Sequence, residues 1–267
     1  MRKTSLSIGL MVVLLGAAGV LSTGCPGTRP GRVAADVLVP PSEETQLGEQ
    51  VSAQVERELR MHPNAEVQQY VRGLGEQIVR VADNVPDGIN FTFQVVDDKQ
   101  TSNAFALPGG WIYVYSGLMA NMDNEAELIG VIAHEVAHVT RRHVAQRLVT
   151  LYGVDLLTRM ALGQEPGIVQ SVVATIVQQG FLLRYSRGQE TDADNIGLTY
   201  IVRANYDPQG FISFFQTMVG QPSPPTFLLT HPAPEDRIRN IEEAIAQMKQ
   251  VPTRTNRERF QAIKSQL

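Results

Sequence analysis

The stretch His134-Glu135-Val136-Ala137-His138 indicates the fold of this chain, because its residues match an H-E-x-x-H cluster within an apolar, helix-forming segment. Side chains four residues apart on a helix share one face, so both imidazoles are expected to point at one location. The Glu135 carboxylate projects from the same turn, beside that location. Two neutral imidazoles and a neighbouring carboxylate are the components of a hydrolytic zinc site, provided that a third ligand completes it.

The composition limits what can hold a metal. The chain has 267 residues, of which 43% are hydrophobic and 19% charged, enough for a buried core in one or at most two domains. A formal net charge of −4 argues against nucleic acid as a partner. The single cysteine, Cys25, excludes an intramolecular disulfide and a thiolate zinc site, so the ligands must be histidine and carboxylate.

The N-terminus is predicted to be a targeting segment. Arg2 and Lys3 precede an apolar run over residues 6–21, and small residues then lead to Cys25. Residues 1–24 therefore resemble a bacterial lipoprotein signal peptide, although leucine stands four residues before the cysteine instead of the usual three. We expect lipidation at Cys25, a flexible tether over residues 25–42 and a periplasmic protein anchored to the outer membrane. Ordinary secretion with an incidental cysteine is the alternative.

The next part of the sequence predicts two helices and a small sheet. Hydrophobic spacing indicates helices over residues 43–60 and 65–81, and alternation indicates a strand over residues 91–96. Two short strands follow around a Pro-Gly-Gly turn at residues 108–110. The second of them is predicted to be an edge strand that pairs with an extended substrate, a packing role being the alternative. It consists of Trp111, Ile112, Tyr113, Val114 and Tyr115.

The histidine cluster belongs to a predicted helix over residues 123–149, with a face of small residues against which another helix can pack. His143 lies about 140° around this helix from His138, so it is not expected to be a ligand. Further helices are predicted over residues 151–162, 168–184, 188–203 and 234–248. The fold class expected is mainly α with a small β-sheet (α+β), in a zinc-binding domain over residues 43–250 with a C-terminal helical tail over 251–267.

A later acidic segment supplies a candidate third ligand. Glu190 and Asp194 are four residues apart and share a helical face. Glu190 can bind the metal, while Asp194 accepts a hydrogen bond from the second nitrogen of a liganding histidine. An acidic first turn that complements the helix dipole is the alternative.

Four blocks of sequence together resemble the gluzincin family of zinc metallopeptidases that includes HtpX and the CAAX prenyl protease. They begin at Asn103, His134, Ser186 and Thr230, and their order matches the family. The resemblance is to the periplasmic lipoprotein branch without transmembrane helices, and no tetratricopeptide domain is expected. It implies one Zn²⁺ held by His134, His138 and Glu190, with Glu135 as the general base.

The sequence allows more than one role for each of two residues in the fourth block. His231 is expected to donate to an oxyanion, or to bind the zinc as a fourth ligand and keep the enzyme latent, or merely to cap the helix that begins at Pro234. Arg237 is expected to stabilise developing charge or to pair with Glu190 or Asp194, a surface salt bridge being the alternative.

The function that the resemblance implies is a zinc metalloendopeptidase acting on misfolded or stalled envelope proteins. The alternative is a chaperone-like or binding lipoprotein whose zinc is structural or whose site is plugged by His231.

Overall fold

The computed structural model describes residues 39–179, 184–219, 225–232 and 234–267. The predicted signal peptide, Cys25 and most of the predicted tether lie outside these ranges, as does part of the helix predicted over 168–184. Across the ranges that are described, no helix is both long enough and apolar enough to cross a membrane.

The structure is mostly helical with one small sheet, which confirms the predicted fold class. The two helices before the sheet begin and end close to the predicted positions: α1 spans Pro41–Glu58 and α2 spans Ala65–Val81. Helix α2 is capped by Asn64, whose side chain accepts a hydrogen bond from the Glu66 N–H at 2.8 Å. Its apolar face packs on the sheet and on the histidine-bearing helix.

Within the described residues, the sheet has three strands in the order β1-β3-β2. They are β1 (Thr92–Val96), β2 (Ala104–Ala106) and β3 (Trp111–Tyr115). Strand β3 runs parallel to β1, with Phe93 opposite Ile112, and antiparallel to β2, with Ala106 opposite Ile112. The prediction that Trp111 to Tyr115 form an edge strand is therefore wrong, because β3 is hydrogen-bonded on both sides. The edge beside the histidine-bearing helix is β2.

A short helix, α3 (Ser116–Ala120), leads into the histidine-bearing helix α4 (Glu125–Thr140), all of whose residues are buried. Asn124 caps α4 by accepting from the Ala126 N–H at 3.0 Å. The predicted continuation to residue 149 is wrong, because Arg142 has φ 55° and ψ 31° and breaks the helix.

Tertiary contacts hold that break in place. The Arg142 guanidinium donates to Glu44 Oε2 at 3.0 Å and to the Val39 carbonyl at 2.6 Å, and the side chain is buried. The chain then restarts as α5 (His143–Ala161), which has a kink at Gly153.

Six further helices complete the described structure. They are α6 (Pro166–Gln179), α7 (Arg187–Arg203), α8 (Gln209–Met218), α9 (Thr226–Thr230), α10 (Pro234–Ala246) and α11 (Arg257–Lys264). The predicted small-residue face of α4 is present: a Cβ added at Gly130 would meet the Phe211 side chain of α8 at 2.9 Å. A Cβ at Gly197 of α7 would lie 3.2 Å from the backbone nitrogen of His134. Helices α7 and α8 therefore approach α4 almost to backbone contact.

Candidate metal centre

Four side chains from separate parts of the fold meet inside the protein. His134 and His138 come from α4, Glu190 from the first turn of α7, and His231 from the residues between α9 and α10. One ligand atom of each lies within 4.8 Å of the others, and all four residues are buried.

The spacing of these atoms suits a zinc ion. His134 Nε2 lies 3.0 Å from His138 Nε2 and 3.1 Å from His231 Nδ1. Glu190 oxygens lie 3.6 Å from His134 Nε2, 3.5 Å from His138 Nε2 and 3.2 Å from His231 Nδ1. A tetrahedral zinc with ligands at about 2.0–2.1 Å separates its ligand atoms by about 3.3 Å. The four residues therefore fit one Zn²⁺ in distance and in donor chemistry.

Local structure places Glu190 against this cluster. Ser186 and Gln189 form a capping box: the Ser186 hydroxyl accepts from the Gln189 N–H at 3.3 Å, and Gln189 Oε1 accepts from the Ser186 N–H at 3.1 Å. Helix α7 thus begins at Arg187, which puts Glu190 in its first turn. The absence of a side chain at Gly197 then lets α7 lie against α4 at the level of His134.

Asp194 lies where the sequence predicted it. Its Oδ1 is 3.0 Å from His134 Nδ1, on the side of the ring that faces away from the other ligand atoms. An imidazole that binds a metal through Nε2 keeps its proton on Nδ1, and a carboxylate there fixes that tautomer.

Arg237 connects the two carboxylates of α7. One guanidinium nitrogen lies 2.6 Å from Glu190 Oε2, and two others donate to Asp194 at 2.6 and 2.7 Å. Arg237 is 2% exposed, so these ion pairs are buried and not on the surface.

Burial and charge set the protonation states of the ligands. Burial lowers the pKa of His134 to about 4 and that of His138 well below its usual value, so both rings are neutral at neutral pH, as metal ligands must be. Burial opposes ionisation of Glu190, but His231 and Arg237 hold the pKa of this carboxyl well below its usual range. Glu190 is therefore a carboxylate.

Glu135 differs from the other acidic groups of the site. It is fully buried, and neither carboxylate oxygen makes a hydrogen bond. Burial raises the pKa of Glu135 to about 7, while the nearby His231, whose Nε2 lies 3.4 Å from Glu135 Oε1, opposes the rise. A buried carboxyl with free oxygens beside a ligand cluster suits a group that exchanges a proton with water.

Sequence reasoning missed two rings that hold the histidines. Tyr185 stacks on His138 with centroids 3.8 Å apart, and Phe227 stacks on His231 at 4.2 Å. Tyr185 directly precedes the Ser186 block, and that position is the only signal the sequence offered. The third missed residue is His143, whose Nδ1 lies 3.0 Å from His138 Nδ1.

A His-Glu-x-x-His helix completed by a glutamate from a later helix defines a zinc metallopeptidase of the gluzincin type. The comparison with protein families agrees with this class. The model of peptidase family M48 matches residues 63–245, and the chain belongs to that family.

The relatives include proteases of bacteria and mitochondria. The "Beta-barrel assembly-enhancing protease" of Yersinia pestis is 36% identical over 204 residues, 71% of this chain and 41% of the relative. The protein of the same name from Escherichia coli is 31% identical over 221 residues, 78% of this chain and 45% of the relative. The "Mitochondrial metalloendopeptidase OMA1" of Schizosaccharomyces pombe is 33% identical over 159 residues, 58% of this chain and 47% of the relative. The chain thus spans less than half the length of these relatives.

Proposed function

We propose that this chain is a zinc-dependent endopeptidase that hydrolyses peptide bonds of envelope proteins. The observation that carries the proposal is the Glu135 carboxyl, which is buried without a hydrogen bond next to four converging ligands. A structural zinc site needs no such group, and burying a carboxyl that accepts no hydrogen bond costs free energy.

The residues divide the chemistry between them. His134, His138 and Glu190 would hold one Zn²⁺, which supplies Lewis acidity toward a water and a peptide carbonyl. Glu135 takes a proton from the attacking water and passes it to the leaving nitrogen, so a peptide and water become an acid and an amine. Asp194 and Arg237 keep His134 and Glu190 in place.

His231 is proposed to keep the resting enzyme latent. Its Nδ1 faces the ligand atoms and its Nε2 faces Glu135, so one ring covers both the metal position and the base. Removing the ring would open both to substrate. The same geometry supports the alternative of a permanently plugged site.

Strand β2 is the proposed place for an extended substrate. It is the sheet edge beside α4, and its other side pairs with β3. Peptide backbone can add to such an edge by main-chain hydrogen bonds.

The proposed substrates are misfolded or stalled envelope proteins, and the proposed location is the bacterial periplasm, with a lipid anchor at Cys25. The support is the printed name of the bacterial relatives, which refers to β-barrel assembly, together with the signal-like N-terminal sequence. The rival function is a chaperone-like lipoprotein whose zinc site is structural.

Cleavage of casein by the purified protein tests the proposal, with zinc content measured in parallel. We expect wild type to bind one zinc and to cleave, and Glu135→Gln to bind zinc while losing at least about 10²-fold in rate, because the proton carrier is gone. His231→Ala is expected to cleave faster than wild type if His231 is a latch.

Two outcomes would contradict the proposal. One is cleavage by Glu135→Gln at the rate of wild type. The other is one bound zinc with no cleavage by wild type or by His231→Ala, on casein or on an unfolded outer-membrane protein, which supports the binding-protein alternative.

A further inference from the structure

The two liganding histidines of α4 are held in different ways. His134 Nδ1 faces the Asp194 carboxylate at 3.0 Å, which is the usual arrangement for a zinc-binding histidine. At the corresponding position of His138, none of the carboxylates in the described ranges is in contact: His138 Nδ1 faces His143 Nδ1 at 3.0 Å. The ring of His143 is buried, and its plane is inclined 68° to that of His138.

His143 is itself held from the other side. Its Nε2 lies 3.3 Å from Asp192 Oδ2. Asp192 accepts two hydrogen bonds from Arg141, at 2.8 Å from Nε and 3.2 Å from a terminal nitrogen. Asp192 is about one-third exposed, so the chain of contacts runs from the buried ligand to the protein surface.

The donors and acceptors along this chain match in only one direction. When His138 binds a metal through Nε2, its proton is on Nδ1 and must be donated. His143 Nδ1 must then accept, which puts the proton of a neutral His143 on Nε2. That N–H points to Asp192, a carboxylate that can only accept. The ring N–H of His138 and the ring N–H of His143 therefore each have one acceptor.

The break after α4 makes this arrangement possible. On a continuous helix, five residues separate the two rings by about 140°, too far for contact. The left-handed backbone of Arg142 starts α5 at His143 and turns that ring back against His138. A non-glycine residue is strained in this conformation, and the buried contacts of Arg142 with Glu44 and Val39 compensate for it.

We propose that His143, backed by Asp192, is a positioning residue that keeps His138 in the tautomer that binds zinc. This inference rests on the proposed zinc peptidase. His143 is not among the four converging ligands, and it acts only through His138. Loss of such a partner typically lowers metal affinity about 10–100-fold.

The test measures zinc affinity by competition with a chromogenic chelator, and the thermal midpoint of the zinc-free protein. His143→Phe keeps a ring in the space but cannot accept the hydrogen bond from His138, and we expect it to bind zinc about 10–100-fold more weakly. His143→Gln can accept from His138 through its carbonyl oxygen and donate to Asp192 through its amide, so it is expected to recover most of the affinity. The zinc-free midpoints of the two variants are expected to agree.

Two further variants complete the design. His62→Phe removes another buried histidine, at a place where His62 Nδ1 accepts from the Asn64 N–H, and its zinc affinity is expected to equal that of wild type. Asp192→Ala changes a partly exposed residue and is expected to weaken zinc binding even if His143→Phe does not fold.

Equal zinc affinity in wild type, His143→Phe and Asp192→Ala would overturn this inference while leaving the peptidase proposal intact, provided that wild type cleaves. An equal loss in His143→Phe and His143→Gln would also overturn it, since a packing defect would then be the cause. A wild-type protein without zinc affinity would instead contradict the proposed function.

Discussion

Arg237 balances the negative charge of the two buried acids at the metal centre. Glu190 and Asp194 are both buried, and Arg237 is the guanidinium that contacts both of them. The planar fork of arginine serves two carboxylates at once, which a lysine ammonium does with poorer geometry. Asp194 in turn fixes His134, so the arginine acts on the ligand set through two acids.

Replacing Arg237 by glutamine is expected to destabilise the zinc-free protein by about 3–5 kcal/mol, because it leaves buried carboxylates without their cation. Urea unfolding in the presence of a zinc chelator measures the effect. Arg239 is the matched control on the same helix: it pairs with Asp236 at 2.8 Å but is exposed. Arg239→Gln is expected to change stability by about 0–1 kcal/mol. Equal effects at the two positions would contradict the assignment of a buried ion pair.

At the scale of the element, glycines determine how closely helices approach their neighbours. Helix α2 contains two, Gly73 and Gly75, with different surroundings. A Cβ at Gly75 would lie 2.4 Å from the ring of Phe93 in β1, whereas a Cβ at Gly73 would meet nothing within 4 Å. Gly75 therefore sets the distance between α2 and the sheet, and Gly73 does not.

We expect Gly75→Ala to destabilise the protein by about 1–3 kcal/mol, because the buried Phe93 ring must move to admit the methyl group. Gly73→Ala is expected to stabilise it by about 0.5–1 kcal/mol, since alanine favours the helix and nothing obstructs it. Thermal unfolding of the two variants beside wild type measures the difference. The packing account fails if both substitutions shift stability in the same direction.

At the scale of the whole molecule, the end of the described chain returns to the beginning of α4. The Thr255 carbonyl accepts from the Glu125 N–H at 3.0 Å, and Lys264 donates to the Met122 carbonyl at 2.7 Å. The buried Glu125 carboxylate also accepts from the hydroxyls of Tyr70 and Tyr206, at 2.7 and 2.6 Å. The start of the histidine-bearing helix is thus tied to α2, to the loop after α7 and to the C-terminal segment.

Because the C-terminal segment is hydrogen-bonded to the start of α4, we predict that α11 contributes to global stability. Phe260 is fully buried, so Phe260→Ala is expected to cost about 3–5 kcal/mol, which urea unfolding can measure. Glu258→Ala, at an exposed position of the same helix, is expected to stay within about 0.5 kcal/mol of wild type. A Phe260→Ala protein as stable as wild type would mean that α11 is not part of the cooperative unit.

Local sequence sufficed for the features that depend on spacing along one element. The H-E-x-x-H pattern identified two histidines on one face of a helix. The spacing of Glu190 and Asp194 identified two acidic residues on one face of a later helix. Helix periodicity alone determines which residues share a face in each case. The mainly helical class, with its small sheet, followed from hydrophobic periodicity in the same way.

Only the tertiary structure decided how those faces meet. The order of the strands depends on which segments pair, so β3 lies in the centre although its sequence suggested an edge. The end of α4 depends on Arg142 reaching Glu44, a residue 98 positions away in the sequence. That contact brings His143 against His138. The ion pair between Arg237 and the acidic residues of α7 is likewise a contact between distant segments. Periodicity carries no information about such pairs, because their geometry arises from packing between elements and not from the conformation of one.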